Sequence, residues 1–345
     1  MMNKRYPATI AGVGKCLPEK VITNQNLEKL VDTNDEWIFT RSGIKERHIV
    51  SGDETAASLA AAASKDAIDF AGVDAKDVDL IICATSLPDN LYPSVACEVQ
   101  SKIGAVNAAA FDLVAACSGL IYSLKVANSF IASGEYKNIL LIGVDVHSRF
   151  VDWNDRTTCV LFGDGAGAFL VQRAQDDQND VLFVDIRADG SKSSELKIPL
   201  SGVNCPLVEK NTPESQCVSM NGREVYKFAI NTVPESIMDV LNKADLTVND
   251  VDKYILHQAN IRIIQSIADK LNEDHEKFYV NLHKYGNTSS ASIAIALTDA
   301  IEENKINCPS TLVLSGFGAG LTWGTAVVRW RAKDKRQQGE FLKNE

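Results

Sequence analysis

Cys117 lies in a sequence context suited to a nucleophile. It belongs to VAACSGL (114–120), where a strand-like apolar run over 107–116 gives way to a helical pattern over 119–134. A thiol at the start of a helix lies near free backbone N–H groups, which stabilise a thiolate and lower its pKa. A buried cysteine is also a common small hydrophobic residue, so position alone leaves both roles open.

Two polar residues in the second half of the chain are candidates to act with Cys117. His257 follows the apolar run 254–256, at the predicted end of a strand, where α/β sheets present functional groups. Asn287 lies in a predicted turn, GNT (286–288), before a helix rich in small residues. Each has an ordinary structural explanation, as a satisfied histidine and as a turn or N-cap residue. A Cys-His-Asn set also occurs in cysteine hydrolases, so residue types alone do not select the reaction.

Other polar motifs bear on ligands. Trp37, Arg41 and Arg156 suit a nucleotide, since arginine beside an indole can hold phosphate or adenine, although taken alone they are better explained as exposed charge beside a half-buried aromatic. The glycines of GDGAG (163–167) precede an apolar strand and not a helix, so we expect no nicotinamide or flavin.

The eight cysteines form no C-x-x-C pair, and the histidines are not grouped beside them, so we expect no metal.

The elements that must position these residues are alternating strands and helices, which favours an α/β layered fold. The chain also repeats itself in order, at a spacing of 173 residues between its two V-D pairs. The matching segments are DFAGVDAKDVDLIICATS (69–86) with NKADLTVNDVDKYILHQAN (242–260), YKNILLIGV (136–144) with CPSTLVLSGF (308–317), and GDGAGAFLV (163–171) with GAGLTWGTAVV (318–328). The pattern predicts two similar halves with a site at their interface.

The predicted boundaries follow from this repeat. Residues 1–172 form an N-terminal half that carries Cys117, and residues 219–345 form a C-terminal half that carries His257 and Asn287. The polar segment 173–218, rich in Asp, Ser and Asn, is predicted to be a linker or surface excursion.

Composition excludes several classes of protein. The 345 residues are 45% hydrophobic, enough for a large core, and the formal net charge of −10 argues against nucleic-acid binding. The start, MMNKRYPATI, lacks the apolar core of a signal peptide, and no run approaches the roughly 20 apolar residues of a membrane span. We therefore expect a soluble, cytoplasmic protein with no membrane or nucleic-acid partner.

Six segments together resemble the β-ketoacyl-acyl carrier protein synthase III family, the initiating condensing enzymes of type II fatty-acid synthesis. They are VDTNDEWIFTRSGIKERHI (31–49), AACSGLIYSLKVA (115–127), VDWNDRTTCVLFGDGAGAFLV (151–171), HQANIRII (257–264), YGNTSSASIAIAL (285–297) and SGFGAGLTWGTAVVRW (315–330). The resemblance implies a thiolase-like α/β fold, with two pseudo-symmetric halves in five α-β-α-β-α layers, and a homodimer.

The resemblance also implies a reaction. Cys117 matches the acylated nucleophile, and His257 and Asn287 match the pair that promotes decarboxylation of malonyl-acyl carrier protein. An acyl-CoA starter, which we expect to be acetyl-CoA, would acylate Cys117 and then condense with malonyl-acyl carrier protein to give a 3-oxoacyl product, CoA and CO₂. Backbone N–H groups of Cys117 and Ala319 would stabilise the oxyanion. No cofactor is expected, because coenzyme A thioesters are substrates.

The resemblance assigns further residues to binding. Those expected to hold acyl-CoA are Thr33, Trp37, Arg41, Arg156, Gly222, Ala259, Asn260 and Phe317. Those expected to contact the carrier protein are Gln258, Arg262 and Lys270, and Tyr92 is expected to enter the partner subunit's acyl pocket. The sequence departs from the family at Ala319, where a glycine is usual, and at Asp269, often basic, which weakens the carrier patch.

Three alternatives remain at this stage. A specialised-metabolism relative would use the same cysteine to move an acyl group to another nucleophile or to build a polyketide. A cysteine hydrolase fits the residue types but not their flanks. A non-catalytic dimer partner is disfavoured because all three catalytic residue types are present.

Overall fold

Two β-sheets and the helices around them build the part of the chain that the structure, a computed structural model, describes: residues 5–175, 178–200, 207 and 215–338. The helices are α1 (Asn24–Leu27), α2 (Asp35–Ser42), α3 (Ala56–Ala71), α4 (Val95–Ile103), α5 (Gly119–Ser133), α6 (Gly222–Lys243), α7 (Ile261–Leu271), α8 (Leu282–Tyr285) and α9 (Ser292–Glu302). The strands are β1 (Ala8–Cys16), β2 (Lys20–Thr23), β3 (Glu46–Ile49), β4 (Leu80–Ala84), β5 (Ala109–Leu113), β6 (Asn138–Asp145), β7 (Gly165–Arg173), β8 (Val181–Ala188), β9 (Leu196–Lys197), β10 (Ser219–Met220), β11 (Lys253–Leu256), β12 (Ser310–Gly318) and β13 (Thr322–Trp330).

The two large sheets have matching topology. The first has the order β1-β7-β6-β4-β5 and the second β11-β12-β13-β8. In each, a parallel pair (β4 with β6, β11 with β12) is followed by an antiparallel hairpin partner (β7, β13) and an antiparallel outer strand (β1, β8). This correspondence confirms the two pseudo-symmetric halves predicted from the sequence repeat.

Five layers follow from how the helices bury their apolar faces. Side chains of α5 and α9 share one core cluster with strands of both sheets, so these two helices lie between the sheets. Helices α3 and α4 cover the outer face of the first sheet, and α6 and α7 cover the outer face of the second. The order α-β-α-β-α is the predicted thiolase-like arrangement.

The prediction for residues 173–218 needs correction. Residues 181–188 are not a linker, because they form β8, which pairs antiparallel with β13 at the edge of the second sheet. The eight residues of β8, VLFVDIRA, are mostly apolar, and two of them, Val181 and Val184, are buried. Short strands β9 and β10 pair with each other farther along, while residues 201–206 and 208–214 lie outside the described part of the chain.

Candidate active site

A strained turn presents Cys117 at the junction of a strand and a helix. β5 ends at Leu113, a short 3₁₀ turn covers Ala116–Ser118, and α5 begins at Gly119. Ala116 has a φ of 46°, in the left-handed region that costs a residue with a side chain about 1–2 kcal/mol. The predicted strand-to-helix setting is confirmed, and the strain at Ala116 is a local cost of orienting the following residue.

The Cys117 thiol is protonated in the resting protein. Its side chain is buried, and its Sγ lies 3.2 Å from the Ser289 hydroxyl. Burial raises the pKa of Cys117 to about 12, against a smaller lowering effect of the Ser289 hydrogen bond. This direction is opposite to the one expected from the helix terminus, because removing a thiolate from water outweighs the helix dipole here.

This pKa predicts a distinctive pH dependence. The rate at which iodoacetamide alkylates Cys117 should rise about tenfold per pH unit between about pH 7 and pH 10, since the thiolate fraction does so below the pKa. Site-resolved peptide mass spectrometry measures this rate, with exposed Cys97 in the same digest as the reference for reagent and recovery. If the alkylation rate of Cys117 stopped rising below about pH 9, the thiol would instead be ionised by a partner such as His257.

His257 is buried directly after β11, as predicted. Its Nδ1 lies 2.6 Å from the Ser292 hydroxyl, and that hydroxyl also accepts the backbone N–H of Gln258 at 3.4 Å. The neutral tautomer with its proton on Nε2 fits this geometry, because the Ser292 hydroxyl then accepts from Gln258 and donates to Nδ1. Burial, reinforced by His147, lowers the pKa of His257 to about 3, and the ring is therefore neutral at physiological pH.

Asn287 is held by its backbone and by one side-chain contact. Its N–H donates to the Leu161 carbonyl at 2.8 Å, and its own carbonyl accepts from the Gly163 N–H at 3.0 Å. The side-chain Oδ1 accepts from the Ser289 N–H at 2.9 Å. Because this contact occupies Oδ1, the Nδ2 group is the donor that remains for a ligand.

A single cavity of about 810 Å³ joins the predicted residues of both halves. Those that line it are Trp37, Arg41, Cys117, Gly222, His257, Ala259, Asn260, Asn287, Phe317 and Ala319. A Cβ on Gly318 would lie 2.8 Å from the Cys117 backbone nitrogen, so the segment carrying Ala319 lies directly against the nucleophile. The Phe317 ring meets His257 edge-on, with centroids 5.2 Å apart.

At the cavity mouth, two arginines flank one indole. The guanidinium carbons of Arg41 and Arg156 lie 4.8 and 5.2 Å from the Trp37 ring centroid, within cation–π range. Arg156 also donates to the Asp32 carbonyl at 2.7 Å. Arg156 and Thr33 are not among the described cavity-lining residues, and the Thr33 hydroxyl is buried without a hydrogen-bond partner in the described part of the chain.

The prediction that Gln258 contacts the carrier protein is wrong, because this residue is not on the surface. Its side chain is 1% exposed, and its Nε2 donates to the carbonyls of Leu256 and Tyr279. Its Oε1 accepts from the Asn281 N–H at 3.0 Å. All its polar atoms are used to fix the segment that follows His257.

Arg262 and Lys270 are exposed on α7, as predicted. Arg262 donates from Nε to the Thr40 carbonyl at 3.1 Å, which ties α7 to α2, and Lys270 donates to the Asn231 side chain at 2.6 Å. Asp269 lies 2.8 Å from the Nε2 of His275.

Tyr92 points away from its own cavity. Its side chain is 86% exposed, whereas the neighbouring Leu91 lines the cavity. Within the described residues of a single chain, Tyr92 is therefore no part of the site.

The sequence reasoning missed three polar residues at this site. Ser289 is hydrogen-bonded to Cys117, and Ser292 is hydrogen-bonded to His257. The serine-rich motif TSSAS (288–292), directly after Asn287, was the sequence signal that could have indicated these two residues. His147 also lines the cavity and stacks on Phe162 at 4.5 Å; nothing in its flanks marks it.

Comparison with known proteins identifies the family. Residues 111–190 match the family described as 3-oxoacyl-[acyl-carrier-protein (ACP)] synthase III, and residues 241–330 match its C-terminal counterpart. A β-ketoacyl-[acyl-carrier-protein] synthase III of Nostoc sp. is 48% identical over 324 residues, covering 93% of this chain and 97% of the relative. The chain belongs to the 3-oxoacyl-[acyl-carrier-protein] synthase III family. It is thus a condensing enzyme of the acyltransferase type that acts at the initiation of fatty-acid synthesis.

Solved structures of the family have the same fold. The crystal structure of the synthase III of Aquifex aeolicus is 46% identical with a TM-score of 0.86, over 94% of this chain and all of that one. The priming β-ketosynthase of the R1128 polyketide pathway is 31% identical with a TM-score of 0.89, over 97% of this chain and 99% of that one.

Two absences hold for the described residues. None of their helices is long and apolar enough to cross a membrane. They also contain no cluster of His, Cys, Asp and Glu side chains that could hold a metal ion.

Proposed function

We propose that this synthase condenses an acyl-CoA starter, acetyl-CoA in the first instance, with malonyl-acyl carrier protein. The observation that carries the proposal is the single cavity where Cys117 of one half meets His257 and Asn287 of the other, behind a mouth lined by Trp37 and Arg41. The products are a 3-oxoacyl-acyl carrier protein, coenzyme A and CO₂.

In the first half-reaction Cys117 attacks the starter thioester. The acyl carbon forms a bond to Sγ as its bond to the coenzyme A sulfur breaks, and the thiol proton ends on coenzyme A. The backbone N–H groups of Cys117 and Ala319 stabilise the oxyanion of the intermediate. Support comes from the close approach of Gly318, the residue before Ala319, to the backbone of Cys117.

In the second half-reaction His257 and Asn287 stabilise an enolate. The Nε2–H of His257 and the Nδ2–H of Asn287 donate to the thioester oxygen of malonyl-acyl carrier protein as CO₂ leaves. The enolate carbon attacks acyl-Cys117, and the thiolate leaves and is reprotonated. A neutral imidazole suits this role, because it keeps its donor across physiological pH.

The starter's coenzyme A is proposed to enter past Trp37. This indole and the adjacent arginines, Arg41 and Arg156, bind its adenine and phosphate groups. The pantetheine arm runs past Gly222, Ala259 and Asn260 toward Cys117, along an apolar-walled cavity. Thr33 contributes only from behind the mouth.

The carrier protein is proposed to dock on the exposed face of α7 through Arg262 and Lys270. An acidic partner needs local positive charge, since the chain as a whole carries −10. Arg262→Glu should raise KM for malonyl-acyl carrier protein roughly tenfold and leave acyl transfer from acyl-CoA unchanged. Steady-state kinetics with each substrate measures both.

The control is Lys65→Glu, which reverses a positive charge at an exposed site on α3. A loss of both activities in Arg262→Glu would point to misfolding.

A homodimer is proposed through the β5 edge of the first sheet. Exposed large apolar residues cluster on β5 and its flanking segments: Leu91, Tyr92, Val106, Phe111 and Val114. An open edge strand with apolar side chains is a pairing surface, and Tyr92 would reach the partner's acyl pocket from there.

Light scattering tests the dimer. The wild-type protein should have about twice the chain mass of 37.5 kDa, and Phe111→Asp should reduce it to the monomer mass. Leu30→Asp, a change at an exposed apolar residue on another surface, should leave the dimer intact. A wild-type monomer, or a Phe111→Asp dimer, would exclude this edge as the interface.

The decisive experiment for the function is an acyl-CoA panel. The protein is incubated with acetyl-CoA, butyryl-CoA or isobutyryl-CoA and with malonyl-acyl carrier protein, and products are identified by mass. Formation of acetoacetyl-acyl carrier protein supports the proposal. A polyketide-type role, suggested by the likeness to the R1128 priming ketosynthase, would appear as preference for a longer starter. Hydrolysis without condensation would contradict both.

A further inference from the structure

Arg47, on β3, is a fully buried cation that the proposed chemistry does not use. Its side chain is 0% exposed, and it has no carboxylate in salt-bridge distance among the described residues. Burial lowers its pKa only to about 10, so it is charged at neutral pH. A buried charge without an ion-pair partner is costly, so its hydrogen bonds must matter to what surrounds it.

One arm of the guanidinium supports the segment that holds Asn287. Nη2 of Arg47 donates to the Val160 carbonyl at 2.8 Å. The next residue, Leu161, accepts the Asn287 N–H at 2.8 Å, and Gly163 donates back to the Asn287 carbonyl at 3.0 Å. Arg47 therefore holds the first carbonyl of the segment 160–163, in which Phe162 forms an isolated parallel β-bridge with Asn287.

The contact between these segments is close. A Cβ on Gly163 would lie 2.2 Å from the Tyr285 carbonyl and 3.1 Å from the Cβ of Arg47. A Cβ on Gly286, which has a φ of +66°, would lie 2.9 Å from the Leu161 carbonyl and 3.4 Å from the same Cβ. Arg47 thus lies against both glycines that let the two backbones meet at Asn287.

The other arm connects to a different part of the site. Nη1 donates to the Asn24 side chain at 2.9 Å and to the Ile22 carbonyl at 3.2 Å. Asn24 in turn donates to Asp35, in the first turn of α2, which carries Trp37. One planar side chain thereby ties the helix at the cavity mouth to the segment under Asn287, a geometry that lysine cannot reproduce.

We propose that Arg47 is a positioning residue for decarboxylation, which acts by fixing the 160–163 segment that orients the Asn287 amide. This inference rests on the proposed role of Asn287. The donor must meet the thioester oxygen within a few tenths of an ångström as the enolate forms, and a displacement of about 1 Å can cost 10²-fold in rate. Acyl transfer to Cys117 does not use Asn287, and Arg47 reaches the α2 helix at the cavity mouth only indirectly, through Asn24 and Asp35.

A double-mutant cycle tests the proposal. CO₂ release from [¹⁴C]malonyl-acyl carrier protein is measured for the wild type, Arg47→Met, Asn287→Ala and the double variant, and acyl transfer from [¹⁴C]acetyl-CoA is measured in parallel. Arg47→Met should slow decarboxylation roughly 10- to 100-fold and acyl transfer less than about threefold. In the Asn287→Ala background the same change should have less than about a twofold effect, because residues that act as a unit are not additive.

The outcomes separate this inference from the proposed function. If Asn287→Ala leaves decarboxylation unchanged, the role of Asn287 is wrong. If Asn287→Ala slows decarboxylation but Arg47→Met adds its full factor in the double variant, Arg47 acts independently of Asn287 and the inference is overturned. If Arg47→Met slows both half-reactions equally, Arg47 is a general structural residue, which also overturns the inference.

Two further variants distinguish a specific effect of Arg47 from misfolding. Arg173→Met is the matched control, because Arg173 also has a buried, unpartnered Nε and donates to a backbone carbonyl, that of Gly134, away from the cavity. It should leave both half-reactions unchanged. If Arg47→Met does not fold, the cycle is run with Arg47→Lys, which retains the charge but loses the planar fork.

Discussion

Replacing Cys117 with serine should abolish transfer of an acyl group from acyl-CoA to the protein. A serine hydroxyl is a far weaker nucleophile than a thiol, and the group it would contact, the Ser289 hydroxyl, is not a base. We expect labelling by [¹⁴C]acetyl-CoA to fall by about 10³-fold or more, as loss of a nucleophile typically does. Intact-protein mass spectrometry should show the acetyl adduct only in the wild-type protein.

Cys16→Ser is the matched control for this experiment. Burial also raises the pKa of Cys16, but this residue is on β1, outside the cavity. Its replacement should leave labelling at the wild-type level. Normal labelling of Cys117→Ser would mean that another residue carries the acyl group, and the proposed mechanism would then be wrong from its first step.

Replacing His257 or Asn287 with alanine should slow malonyl decarboxylation by about 10²-fold or more while acyl transfer to Cys117 continues. Each change removes one of two donors to the enolate oxygen, and loss of one such donor typically costs this much. CO₂ release from [¹⁴C]malonyl-acyl carrier protein measures the first reaction, and labelling by acetyl-CoA measures the second.

The pH profile of these proteins adds a second readout. Burial lowers the pKa of His257 to about 3, so the imidazole gains a proton only as the pH falls through that value. Decarboxylation should therefore show no histidine titration between about pH 5 and pH 8. His48→Ala, outside the cavity, is the control. The neutral-donor role would be contradicted if the wild-type decarboxylation rate changed with pH near an ordinary histidine pKa and this change were absent in His257→Ala.

Much of this fold follows from local sequence pattern. The apolar spacing of residues 119–134 predicts α5 within one residue, and the repeated V-D and strand segments predict the paired topology of the two sheets. These signals are strong because they depend on periodicity and on contacts between elements already adjacent in the repeat. The surroundings of Cys117 and the strand-end position of His257 follow in the same way.

What the sequence did not predict depends on contacts between distant segments. The polar composition of residues 173–218 as a whole predicted a surface excursion, yet residues 181–188 within it form β8, which pairs with β13 at the edge of the second sheet. Gln258 follows His257 in a motif that suggests a surface role, but internal carbonyls satisfy its amide. The pKa of Cys117 is set by the depth of burial, which no local pattern reveals, and the helix terminus suggested the wrong direction.

The buried thiol has a further consequence for the life of the protein between turnovers. Because burial raises the pKa of Cys117 to about 12, only a very small fraction of this thiol is ionised at pH 7. Peroxide oxidises thiolates and reaches exposed ones first, so the resting nucleophile is slow to form sulfenic acid. The burial of Cys117 therefore protects the enzyme from oxidative inactivation in the interval before acyl-CoA binds.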